Sequence, residues 1–112
     1  MATGDTQQAQ IAEALDRLWK QYLPMMEERV AVLERTARTL AERELKDDER
    51  AAANTAAHKL AGVLGTFGLT KGTVLAREAE ILYSGDPGTD PADAGQLEGI
   101  AAQLKAMLSG PR

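Results

Sequence analysis

Apolar residues return at steps of three and four from near Thr6 onward: Ile11, Leu15, Leu18, Tyr22, Met25 or Met26, Val30, Leu33, Ala37 and Leu40. That spacing predicts a helix with one buried face. Pro24 removes a backbone donor and crowds the carbonyl of Lys20. The stretch therefore predicts two helices, or one sharply bent helix, with Pro24 at the first position of the second piece. Glu27, Glu28, Glu34, Arg35, Arg38, Glu42 and Arg43 fill the opposite, solvated face. The piece before Pro24 is expected either to cap one end of a bundle or to extend one of its helices.

The run Lys46-Asp47-Asp48-Glu49 is a connection leading into an acidic helix start, where Asp47 or Asp48 can cap free amides and suit the positive helix end. The next helix is predicted from about Glu49 to about Thr66, with Ala53, Ala57, Leu60, Leu64 and Phe67 inward and Gly68 as terminator. Thr70 is placed to cap a further helix whose inner face reads Val74, Leu75, Ala79 and Leu82. Ser84-Gly85-Asp86-Pro87-Gly88-Thr89 is a loop. Asp90-Pro91 then reads as cap plus first helical residue. The last helix buries Leu97, Ile100, Ala101, Leu104 and Leu108 and stops at Ser109-Gly110-Pro111.

Amphipathic helices joined by short connections predict an all-α protein: an antiparallel four-helix bundle with an additional N-terminal helix or helix extension. Residues 1–112 read as one domain, with flexible ends expected at 1–5 and 109–112. There is no internal repeat and no low-complexity tract.

Composition agrees. Ala and Leu dominate, Val and Ile together number seven, and only Trp19, Tyr22, Phe67 and Tyr83 are aromatic, which argues against a sheet. The chain has no Cys, which excludes disulfides, thiolate metal sites and thiol chemistry, and a single His excludes a His-rich metal site. Seventeen acidic residues against thirteen basic ones give a formal charge of −4, a poor match for nucleic acid. No segment reads as a signal peptide or a membrane span, so a cytoplasmic location is expected.

Candidate chemistry concentrates in Ala56-Ala57-His58-Lys59-Leu60-Ala61-Gly62-Val63-Leu64-Gly65-Thr66-Phe67-Gly68. Two glycines inside a helix cost about 1 kcal/mol each relative to Ala. With Ala57, Leu60 and Leu64 inward, His58 falls outside, and Ala61, Gly62 and Gly65 follow it on what reads as the same exposed face. The only His thus stands on a stripe without bulk, where another molecule's backbone can approach. A neutral imidazole near pH 7 is a competent nucleophile. No nucleophile elbow and no P-loop accompany it. The bland alternative is a surface His beside glycines that serve helix packing.

His58-Lys59-Leu60-Ala61-Gly62, followed by Gly65-Thr66-Phe67-Gly68-Leu69, resembles the motif of histidine-containing phosphotransfer (HPt) domains, and is similar in particular to the phosphotransfer domain of chemotaxis histidine kinases. His58, Leu60, Gly62 and Gly68 match the family pattern, and Glu80 stands where chemotaxis-type members place the Glu that hydrogen-bonds their His. The resemblance implies a phosphorelay carrier in two-component signalling. His58 would accept a phosphoryl group from a kinase or a phospho-aspartate and exchange it with the Asp of a receiver domain. No cofactor is implied, Mg²⁺ being expected on the receiver, and no catalytic activity independent of the partner. The implied partners are a receiver domain, a histidine kinase or both, with no nucleic acid or membrane, and the domain is expected to be a monomer. An exposed Trp19 or Tyr22 would instead suit dimerisation.

Within the resemblance, Glu80 would support His58, and Asn54, Ala61, Gly62 and Gly65 would form the docking surface. One departure stands out: the family usually has Lys or Arg three residues after the His, where this chain has Ala61. Lys59 points about 100° away around the helix. Lys71 and Arg77 on the neighbouring helix are the other candidates for the missing cation. Gly72, where related domains often carry Leu, is expected to loosen the start of its helix. Two other readings stay open: a degenerate relative that docks without transferring phosphate, and a plain bundle in which His58 is incidental.

Overall fold

Forty-one residues of α1, Ala2–Glu42, form one helix that passes through Pro24. The structure is a computed structural model that describes the backbone of residues 2–85 and 88–110 and the side chains from Thr6 onward. At 1.5 Å per residue α1 spans about 62 Å, and the molecule's longest extent is 60 Å. The expected break or sharp bend at Pro24 is therefore replaced by a continuous helix. Both Pro24 and Lys20 are exposed. The Lys20 carbonyl, left without its donor, belongs to an exposed residue, where water can take the place of the missing amide.

A short turn leads to α2, Asp47–Thr66. Its start is held by Glu49, whose Oε1 accepts the Lys46 N–H at 2.9 Å, while Asp48 Oδ1 accepts the Glu49 N–H. The other end closes at Gly68, which takes φ +72°. Gly68 and Leu69 donate back to the Gly65 and Leu64 carbonyls, both at 3.0 Å. A left-handed residue with backward bonds of this kind satisfies the last carbonyls, and glycine adopts it without a Cβ clash.

The next helix, α3, covers Thr70–Tyr83. Thr70 is its first helical residue, not its cap: Leu69 takes the N-cap position and no side chain caps the amides. Of the expected inner face only Ala79 is fully buried, and Gly72, Ala76 and Tyr83 complete the buried side. Val74 is 53% exposed, and Leu75 and Leu82 are only partly buried. Packing explains the shift, because small residues let α3 approach α2 closely and push its bulkier apolar residues to the flanks. Gly72 shows this directly, since a Cβ there would lie 3.1 Å from Leu64 Cδ1 and 3.2 Å from Met107 Sδ. It serves close packing, which corrects the expectation of a loosened helix start.

Within the loop that follows, Asp86 and Pro87 lie outside the described residues. Asp90 caps a 3-10 turn over Pro91–Asp93, its side chain accepting from the Ala92 N–H at 2.9 Å. It leads into α4, Ala94–Ser109, whose Leu97, Ile100, Ala101, Leu104 and Leu108 are buried as expected. Of the ends expected to be flexible, residues 2–5 continue α1 and Ser109 closes α4; Met1, Pro111 and Arg112 lie outside the described residues.

The four helices pack as a ring in which α1 touches α2 and α4, and α3 touches the same two. Met26, Leu33, Leu40, Leu60, Leu64, Tyr83, Leu97 and Leu104 are the largest wholly buried side chains. The extra N-terminal element is thus the helix-extension form of the expected bundle. At 20 residues, α2 covers about half of α1. Ile11 is consequently 60% exposed and Leu18 also lies open, while Tyr22, though exposed, still meets Phe67 edge-on with ring centroids 6.3 Å apart. Trp19 is the exception: it is buried, its ring edge-on to Phe67 at 5.2 Å.

Candidate functional site

The midpoint of α2 faces the last turn of α3. His58 projects from α2 with its side chain 66% exposed, and its Nδ1 lies 2.7 Å from Oε2 of Glu80, which is 24% exposed. A carboxylate can only accept, so Nδ1 is the nitrogen that donates, and in the neutral imidazole Nε2 is left with the lone pair. Glu80 is itself held in place. Asn54, one turn before His58, donates from Nδ2 to the Glu80 backbone carbonyl at 2.8 Å. Glu80, which faces His58 from α3, is therefore held by a strap between the two helices.

That strap gives Asn54 a structural role beside the docking role expected of it: its amide donates to α3 and the residue is half-buried. Ala61 is a correction. It was expected on the exposed stripe, yet it is only 1% exposed. Residues three apart on a helix differ by about 60° in direction, enough to carry Ala61 from the exposed face into the α2–α3 seam. Its carbonyl accepts from Thr73 Oγ1 at 3.4 Å. Thr73 was not singled out from the sequence, where nothing connects it to Ala61.

The glycines behave differently from each other. Gly62 is exposed, with nothing within 4 Å of the place a Cβ would take. Gly65 is also exposed, but its Cβ would stand 3.6 Å from Thr73 Oγ1, an ordinary contact beside α3. Only Gly62 therefore leaves wholly open space on the His58 side of α2.

Of the three expected cations, one meets the site. Arg77 Nη1 is 3.9 Å from Glu80 Oε1, the oxygen that does not bind His58. Lys59 and Lys71 are exposed and make no hydrogen bond or ion pair among the described residues. Among those residues no group of three or more acidic or His side chains could hold a metal ion, and no helix is long and apolar enough to cross a membrane.

This arrangement can present a nucleophilic nitrogen. The imidazole is oriented by a carboxylate, its side chain is 66% exposed, and the neighbouring surface is low at Gly62.

Comparison with known proteins follows the same line. The family model described as "Hpt domain" matches residues 17–110. "Protein RcaC" of Microchaete diplosiphon is 32% identical over 101 residues, which is 90% of this chain and 15% of that protein. The chain thus spans a small part of the curated relative it matches. No solved structure matches.

Proposed function

Since the chain belongs to the Hpt domain family, whose role is histidine phosphotransfer in two-component signalling, we propose that it carries a phosphoryl group on Nε2 of His58 and exchanges it with the Asp of a receiver domain. The observation that carries this reading is the 2.7 Å contact between His58 Nδ1 and Glu80, which leaves Nε2 as the reacting nitrogen. The same contact supports the finer likeness to chemotaxis-type members.

In the forward step the Nε2 lone pair attacks phosphorus. The N–P bond forms as the P–O bond to the donor breaks, and the donor oxygen leaves with the electron pair. The Nδ1 proton stays in the bond to Glu80, whose negative charge offsets the positive charge growing on the ring. Phosphoryl transfer depends more on positioning and charge than on covalent help. The receiver would bring Mg²⁺ and most of the machinery, and this chain would act as a carrier without catalysis of its own. A cytoplasmic location, where kinases and receivers operate, goes with this reading.

Ala61 favours a second reading, a docking module that binds a receiver without accepting phosphate, because the usual cation one turn after the His is absent. Incubation with a phosphorylated receiver or a kinase, read by intact mass, separates the two. Acid-labile phosphate that disappears in His58→Gln supports the carrier. Receiver binding with no mass shift supports the docking module.

A further inference from the structure

The phosphoryl group expected on His58 carries two negative charges and needs a cation nearby, yet α2 offers none in position. Residue 61 is Ala and packed into the α2–α3 seam, so its direction leads into the protein and not toward the phosphate. Lys59 leaves α2 about 100° away from His58. On α3, Lys71 stands nine residues before Glu80, roughly 13 Å along the helix axis.

Arg77 differs from these. It lies on α3 one turn before Glu80, and Nη1 sits 3.9 Å from Glu80 Oε1 while Oε2 of the same carboxylate binds His58. The distance is too long for a hydrogen bond, so the charge is held beside the Glu80 carboxylate while the guanidinium makes no hydrogen bond among the described residues. Arg77 is 60% exposed and free to swing, whereas Glu80 is pinned through its carbonyl by Asn54. The planar fork of an Arg matches the oxygens of a phosphoryl group.

We infer that Arg77 supplies the phosphoryl-binding cation for His58, delivered from α3 across Glu80 in place of a basic residue on α2. The inference rests on the carrier reading. As the N–P bond forms on Nε2, the guanidinium turns from Glu80 Oε1 to the equatorial phosphoryl oxygens. Glu80 keeps its bond to Nδ1–H, and no proton changes place.

The test uses phosphoramidate as a small donor, which passes its phosphoryl group to Nε2 and releases ammonia, so that no partner protein enters the measurement. Phosphorylation rates are compared for the unaltered chain, Arg77→Ala, Arg77→Lys and, as a surface control, Arg38→Ala. Arg77→Ala is expected to slow the reaction about tenfold and Arg77→Lys to recover most of it, with Arg38→Ala unchanged. The ¹⁵N signals of the His58 ring should keep the Nδ1–H pattern in Arg77→Ala, which separates an effect on the phosphate from one on the imidazole. A rate within twofold in Arg77→Ala overturns the assignment of Arg77 and leaves the carrier reading standing. No phosphorylation of the unaltered chain by phosphoramidate, a kinase or a phosphorylated receiver overturns both.

Discussion

His58 on α2 and Glu80 on α3 are joined nitrogen to oxygen at 2.7 Å, across 22 residues of chain. The pair orients the imidazole and assigns its tautomer. A hydrogen bond to a charged group is worth about 1.5–3 kcal/mol, and the exposure of His58 argues for the lower end, about tenfold in rate. Glu80→Ala is therefore expected to slow phosphorylation of His58 roughly tenfold while leaving the helical circular dichroism unchanged. Its ring ¹⁵N signals should move toward the tautomer mixture of a free imidazole. An unchanged rate would show that ring orientation is not limiting.

Gly62 and Gly72 should respond in opposite ways. With open space around its Cβ position, Gly62→Ala gains helix propensity, about 1 kcal/mol, or roughly 4–8 °C in Tm for a domain of this size. Transfer from a receiver should nevertheless slow, and slow further in Gly62→Leu, because the side chain fills the low surface beside His58. At Gly72, Leu is expected to cost about 1–3 kcal/mol by crowding Leu64 and Met107, without a comparable effect on transfer. Thermal melts and transfer rates on the same three variants check both claims. If Gly62→Leu transfers normally, the partner does not approach over Gly62.

Tyr83 is wholly buried, and its hydroxyl finds no hydrogen-bond partner among the described residues. Burial raises its pKa above the ordinary 10.0, so the fold holds the phenol neutral. The associated stability is present below pH 10.0 and is lost as pH rises past it, because the unfolded chain releases the proton first. Tyr83→Phe removes an unsatisfied polar atom and should be as stable or up to about 1 kcal/mol more stable at pH 8. It should also lose less stability than the unaltered chain between pH 8 and pH 11. Urea melts at the two pH values decide; a clearly weaker Tyr83→Phe at pH 8 would mean the hydroxyl is satisfied in solution.

Glu49 joins the two ends of the first connection. Its carboxylate takes two bonds from Arg43, at 2.9 and 2.8 Å, and one from the Lys46 N–H. The Arg43 hydrogen bonds, and after them that of Lys46, lower its pKa from 4.5 to about 2. A depressed carboxylate contributes stability above its unfolded pKa, and that contribution fades as pH falls from 4.5 toward 2. Acid unfolding followed by circular dichroism should show Glu49→Gln less stable than the unaltered chain at pH 7. The gap should close across that acid window; a gap constant with pH would assign the effect to packing instead.

How far the sequence was legible depends on the span over which each signal acts. Helix existence, the buried face of α4, and Ala53, Ala57, Leu60 and Leu64 of α2 follow from apolar spacing, because each of these meets a neighbouring helix. The same spacing in α1 misled at Ile11, Leu18 and Tyr22: periodicity marks a face but does not show whether anything covers it. Pro24 misled as well, since its lost bond falls on a solvated side where water can replace it. In α3 apolar character surrounds much of the helix, and the choice of Gly72, Ala76 and Tyr83 beside the expected Ala79 depends on how closely the neighbouring helices approach.

At the candidate site, His58, Glu80 and Gly62 were legible from motif spacing. The places of Asn54, Ala61 and Thr73 were not, because each is set by contact across the α2–α3 seam.

By itself the sequence determined that the chain is a helical bundle and that its single His marks the place to look for chemistry, since helix periodicity and motif spacing are local properties. Only the tertiary structure decided which nitrogen of that His faces Glu80, that Ala61 is core and not surface, and that Arg77 is the candidate cation that meets Glu80. Those outcomes depend on how two helices are rotated against each other, and that rotation is set by packing between residues far apart in the chain.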